Sequence, residues 1–145
     1  MKCVLVATDG SEGADRAVDH AAKLAKDNAA ELMIVNVIGG YGLPDPVFRA
    51  FTEGGHVWLD ELLRSLSTEM LTHARDRARL AGATTIQLDS RHGEVTRTLI
   101  DIARQKPADI IIVGKRGAGR IAGLLLGSVS QKLASLSPVP VTIVP

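Results

Sequence analysis

The chain has 145 residues and little cysteine, little net charge and no long apolar run. Its single cysteine, Cys3, can form no internal disulfide, and a zinc site there would need other ligands. It lies in the apolar run CVLVAT and reads as a buried structural thiol. The 17 Lys and Arg nearly cancel the 16 Asp and Glu, leaving a formal charge of +1. That argues against a broad basic face for nucleic acid. No stretch approaches the roughly 20 apolar residues of a membrane span. The first apolar run is too short for a signal peptide and leads directly into a turn. The expectation is a cytoplasmic protein with neither nucleic acid nor membrane as partner. What the chain has is 46% hydrophobic and 23% charged residues, the balance of a globular chain with a proper core. A single domain over 1–145 is expected.

Short apolar runs alternate with helical periodicity. CVLVAT (3–8) reads as a strand, and DGSEG breaks it. Ala17, Val18, Ala21, Leu24 and Ala25 then recur at helical spacing, with Ser11 as N-cap and Glu12 and Asp15 at the positive end of the helix dipole. ELMIVNVI (31–38) is a second strand. Leu59, Leu62, Leu63, Leu66, Met70, Leu71, Ala74 and Ala78 form a helical stripe ending near Gly82. TTIQLDS (84–90) is a third strand, followed by a helix marked by Val95, Leu99, Ile102 and Ala103 and closed by Pro107. DIIIVG (109–114) is a fourth strand, 127–136 a fourth helix and VPVTIV (139–144) a fifth strand.

This order predicts an α/β fold, a doubly wound five-stranded parallel sheet with helices on both faces. Pro140 cannot donate to a ladder, which favours an edge position for the last strand. An apolar edge is a hazard unless covered. Pairing with the same strand of a second subunit covers it, so a homodimer through 139–144 is expected.

The segment GKRGAGRIAGLLLGSVS (114–130) packs five glycines and three cations into a short space. Ligands of open α/β sheets bind beyond the carboxyl ends of the strands, where the strand order reverses. In the order 3-2-1-4-5 that point lies between strands one and four. Glycines after the fourth strand support this order over 2-1-3-4-5. The Walker phosphate loop is absent, because Arg116 follows Lys115. Gly117-Ala118-Gly119-Arg120-Ile121-Ala122 fits a dinucleotide fingerprint, yet it follows the wrong strand and no acid lies at the end of the next one. A third spacing fits: Gly114, Gly117 and Gly127-Ser128 form G-x2-G-x9-G-[ST]. Glycine lets backbone approach a phosphate closely. The first N–H groups of a helix beginning at 127–130 have no partner inside it, and a phosphate can supply one. The Ser128 and Ser130 hydroxyls add donors, and Lys115, Arg116 or Arg120 add charge. The competing reading is that these residues serve only a turn and a helix cap.

The chain resembles the ATP-binding branch of the universal stress protein family in this motif. It also resembles that family in VLVATDGSEGADRAVDHAAKLA, ELMIVNVI, GEVTRTLIDIARQKPADIIIVGKRG and LLGSVSQKLASLSPVPVTIV. The resemblance implies that Ala7, Thr8 and Asp9 meet the nucleoside, with Asp9 on the ribose or base or on a metal. It implies that Val37 brackets the adenine. Val113, Gly114, Gly117, Gly127, Ser128, Val129 and Ser130 would hold ribose and phosphates. Lys115 departs from the small polar residue common in the family. The 39–58 segment, with Tyr41, Phe48, Phe51 and Trp58, has no close match there and reads as a connection packed by a few aromatics or as cover for a site or partner.

No catalytic constellation is present. His20, His56, His73 and His92 have no ligand-spaced cysteine or carboxylate, and no base stands ready to activate water. A Mg²⁺ held mainly by phosphates is compatible, because that ion keeps its waters. The leading reading is an ATP-binding stress-response module, a homodimer with an unidentified protein partner and at most slow hydrolysis. ADP, AMP and a cyclic nucleotide remain alternative ligands. The runner-up is an interaction module of the same fold that takes no nucleotide. A nucleotide or flavin enzyme lacks residues for the chemistry.

Overall fold

The computed structural model describes residues 1–39, 57–115 and 126–145, with backbone alone at Val57 and Trp58. In chain order the described elements are β1 (Cys3–Ala7), α1 (Glu12–Asp27), β2 (Glu31–Ile38), α2 (Val57–Leu80), β3 (Ile86–His92), α3 (Val95–Gln105), β4 (Ile110–Gly114), α4 (Ser128–Leu136) and β5 (Val141–Val144). All strand pairs are parallel, in the order β3-β2-β1-β4-β5. The expected doubly wound sheet is therefore present, with its order reversal between β1 and β4. β3 begins two residues later than the sequence suggests and extends to His92, and β5 likewise begins two residues later. Ile86 pairs with Leu32 and His92 with Ile38, so the register with β2 sets those limits.

Each sheet face is covered by its own pair of helices. On one face Val4, Val6, Leu32, Ile34 and Ile112 meet the alanines of α1 and α2, among them Ala17, Ala21, Ala74 and Ala78. Small side chains let both helices lie close to the sheet. On the other face Leu5, Met33, Val35, Ile111 and Val113 meet Leu99 and Ile102 of α3 and Leu133 of α4. Burying each large aliphatic side chain contributes about 1.5–3 kcal/mol, so these two clusters drive the assembly. Cys3 is buried among them, as expected, and burial raises its thiol pKa.

The helices start where side chains supply acceptors. Ser11 Oγ accepts the Ala14 N–H at 3.2 Å, the expected cap of α1. Glu94 caps α3 through both carboxylate oxygens, which accept the Thr96 and Arg97 N–H groups at 3.1 and 2.8 Å. At the amino end of the sheet, Asp109 accepts the Cys3 and Lys2 N–H groups at 2.9 and 2.6 Å, which holds its carboxyl below the usual range. No helix among the described residues is long and apolar enough to cross a membrane.

The two sheet edges differ. β3 carries Gln87, Asp89 and Arg91, with Arg91 Nη2 3.1 Å from Asp89 Oδ2. Charge of this kind discourages edge pairing. β5 reads VTIV, is half-buried throughout and bears no charge.

Candidate functional site

β1 and β4 lie side by side, so the chain leaving each of them borders one crevice at the carboxyl end of the sheet. After β1 the backbone is held by its own side chains. Thr8 N–H donates to Val35 O at 2.9 Å, and Gly10 N–H donates to Thr8 Oγ1 at 3.2 Å. Ser11 N–H donates to Asp9 Oδ1 at 3.0 Å, and Ser11 in turn caps α1. Gly10 has φ +80°, a conformation in which a side chain is strained. Asp9 is exposed above this turn.

After β4 the chain is held by backbone. Lys115 N–H donates to Val144 O at 2.7 Å, and Lys115 O accepts the Gly127 N–H at 2.8 Å. Ser130 Oγ donates to Gly114 O and Lys115 O at 2.8 and 3.0 Å. These bonds tie the N-terminus of α4 to the end of β4. The first helical bond of α4 runs from Gln131 N–H to Gly127 O at 3.1 Å. Gly127 is the N-cap residue, and among the described residues no side chain caps this helix. The N–H groups of the first turn therefore face the crevice end of the sheet without a side-chain acceptor.

The structure brings most of the expected residues to this end of the sheet. Ala7, Val37, Val113 and Val129 pack against one apolar cluster on the α3 and α4 face. They come from β1, β2, β4 and α4 and form an apolar wall below the exposed Ser128 and Asp9. Gly117, Arg116 and Arg120 lie outside the described residues, as do Tyr41, Phe48 and Phe51.

Two motif residues have structural duties that spacing could not show. A Cβ on Gly114 would lie 2.9 Å from the carbonyl carbon of Gly13 and 3.2 Å from Ala14 N. The missing side chain thus makes room for the first turn of α1. Ser130 is 2% exposed, and its one proton is directed at two carbonyls, so it fastens the helix end. The sequence points to ribose and phosphate or to a turn and a cap for these residues, and names neither Gly13 nor the two carbonyls.

Three further side chains make contacts that the sequence does not show. Asn36 Nδ2 donates to Thr8 O at 2.8 Å from inside β2. His73 and His92 each lie near a carboxylate of another element, Asp15 at 3.4 Å and Asp60 at 3.3 Å. Those pairs join residues far apart in the chain, so local spacing could not reveal them. Among the described residues no three His, Cys, Asp or Glu side chains form a group able to hold a metal. A magnesium ion in this crevice would rest on a nucleotide's phosphates, with Asp9 as a carboxylate at its border.

In open α/β sheets the crevice at the order reversal is where ligands bind, and here the N-terminus of α4, without a side-chain cap among the described residues, starts at that end of the sheet. A model of the universal stress protein family matches residues 1–145, and the chain belongs to that family. It is 33% identical to the universal stress protein YxiE of Bacillus subtilis, over 97% of this chain and 97% of that protein. A universal stress protein whose crystal structure is in complex with cAMP is 33% identical, with a TM-score of 0.71 over 99% of this chain and 96% of that one. The hypothetical protein MJ0577 shares the fold at a TM-score of 0.81 and 24% identity, over 99% of this chain and 94% of its own.

Proposed function

We propose that this chain binds an adenine nucleotide in the crevice between the ends of β1 and β4. ATP with Mg²⁺ is the leading ligand. The observation that carries the proposal is the N-terminus of α4, fixed to β4 by Gly127 N–H and Ser130 Oγ and without a side-chain cap among the described residues. Its first-turn amides and dipole favour a phosphate, the dipole alone by about 0.3–1 kcal/mol. The apolar wall of Ala7, Val37, Val113 and Val129 suits an adenine ring, and Asp9 suits a ribose hydroxyl. A family member bound to cAMP, at 33% identity, supports the adenine nucleotide class.

In this reading the nucleotide sets conformation or partner choice, and hydrolysis is slow. The assembly is a homodimer through the uncharged β5 edge, since the opposite edge at β3 is charged. A second reading, an interaction module without nucleotide, draws support from Gly114 and Ser130, whose duties above need no ligand. Acid release of bound compounds from purified protein, identified by mass, separates the two. The double change Gly127→Val, Ser128→Val should abolish nucleotide retention and leave the dimer intact. Retention at the wild-type level in that variant would refute the site.

A further inference from the structure

On the face toward α1 and α2, the apolar core ends in a polar row. Val4, Val6, Leu32 and Ile34 are fully buried there. The next positions on the same face are Thr8 and Asn36, 5% and 3% exposed. Asn36 pairs in register with Ser90, whose Oγ lies 2.7 Å from Ser67 Oγ on α2. Asn36 Nδ2 lies 2.8 Å from the Thr8 carbonyl oxygen and 3.7 Å from Met70 Sδ. The reverse amide orientation would set two oxygens against each other. Asn36 Oδ1 is buried and has no hydrogen-bond partner among the described residues. An apolar residue of similar shape would spare this orphan acceptor but would leave the buried Thr8 carbonyl without its donor. The amide at this place therefore serves the Thr8 carbonyl.

We infer that Asn36 is a positioning residue for the nucleoside end of the crevice, acting through Thr8 on Asp9. The inference rests on the nucleotide reading above. The Thr8 carbonyl shares a peptide plane with the Asp9 N–H, and in a trans peptide the two point in opposite directions. Holding the carbonyl on Asn36 turns the Asp9 N–H away from Asn36 and sets the bond from which the Asp9 carboxylate projects. The next residue, Gly10, turns at φ +80° against Met70, where a Cβ would meet Met70 Cγ at 3.3 Å. One amide of β2 and one thioether of α2 thus hold Thr8, Asp9 and Gly10 from below. Among the described residues no hydrogen bond joins Asn36 to β4 or α4, which build the phosphate end of the crevice.

This division of labour gives the test. Asn36→Leu removes the donor and keeps an apolar side chain of similar size. Titrations of wild type and variant with Mg²⁺-ATP and with adenosine give two dissociation constants each. The expected result is that both ligands weaken by the same factor, about tenfold for one lost hydrogen bond. The ratio of ATP to adenosine affinity then stays at the wild-type value. Unchanged adenosine affinity overturns the inference. So does a fallen ratio, which would mean a general loosening that reaches α4. Wild type that binds neither ligand defeats the nucleotide reading itself, a distinct outcome, and this inference with it. If Asn36→Leu does not fold, Asn36→Thr keeps a strand-forming residue, is too short to reach Thr8 O and is judged by the same ratio.

Discussion

Helices α1 and α4 both start at the carboxyl end of the sheet, on its two opposite faces, yet they start in opposite ways. α1 is closed by its own sequence: Ser11 takes the Ala14 N–H, and Asp9 and Thr8 take the amides before it. α4 starts at a glycine with no side-chain cap among the described residues, and its start is tied to the carbonyls of Gly114 and Lys115. One helix end has used its hydrogen-bonding capacity on itself. The other is held in place and has no side-chain acceptor for its first amides among the described residues. Equivalent positions in a fold thus carry different duties, and the difference lies in two or three short side chains.

The contrast can be attacked at several strengths. The largest effect is expected at Gly114, where β4 leaves the sheet. Gly114→Ala pushes a methyl against the backbone of Gly13 and Ala14, which cannot yield without moving the first turn of α1. A loss of about 1–3 kcal/mol is expected in urea unfolding. Glu94→Ala removes the acceptor of two amides at α3 and should cost about 1–2 kcal/mol. Ser11→Ala removes one and should cost about 1 kcal/mol. Neither cap change should alter nucleotide affinity beyond twofold, because no described contact of either side chain reaches the first turn of α4; Glu94 meets α4 beyond that turn, in a partly exposed ion pair with Lys132 at 3.8 Å. The smallest effect concerns acid. The Asp109 carboxylate is held below its usual pKa, so its contribution is complete above the ordinary carboxylate range and is lost as pH falls through the depressed value. Asp109→Asn should flatten the acid limb of a stability profile below about pH 4 and leave the profile at neutral pH with the same shape.

Much of the fold was legible because its signals are local. Ser11 followed by Glu12 and Asp15 marks a helix start, and the glycines after DIIIVG point to an order reversal beside β4. The limits of β3 were less legible, since Thr84 and Thr85 look like strand residues while pairing with β2 begins at Ile86. Glu94 was missed as a cap because glutamate seldom fills that position and nothing local requires it there. At the candidate site, the sequence named residues that do gather at one end of the sheet. It could not tell which neighbour needs the space at Gly114, because a spacing motif records where bulk is absent and not what fills the gap. Asn36 was hidden in ELMIVNVI, where one polar letter among apolar ones gives no hint of a partner 28 residues earlier.

The most direct measurement gives α4 the kind of end that α1 already has. Gly127 has φ −73° and ψ 170°, backbone that any residue adopts, so Gly127→Asp introduces a cap without strain. It should stabilise the fold by a few tenths of a kcal/mol while placing a carboxylate where the phosphates would sit. Calorimetric titration of Mg²⁺-ATP into both proteins should give binding in the wild type and none in the variant, at equal or higher thermal stability. Equal binding by both proteins, or no heat in a wild type that also carries no nucleotide from purification, would contradict the account.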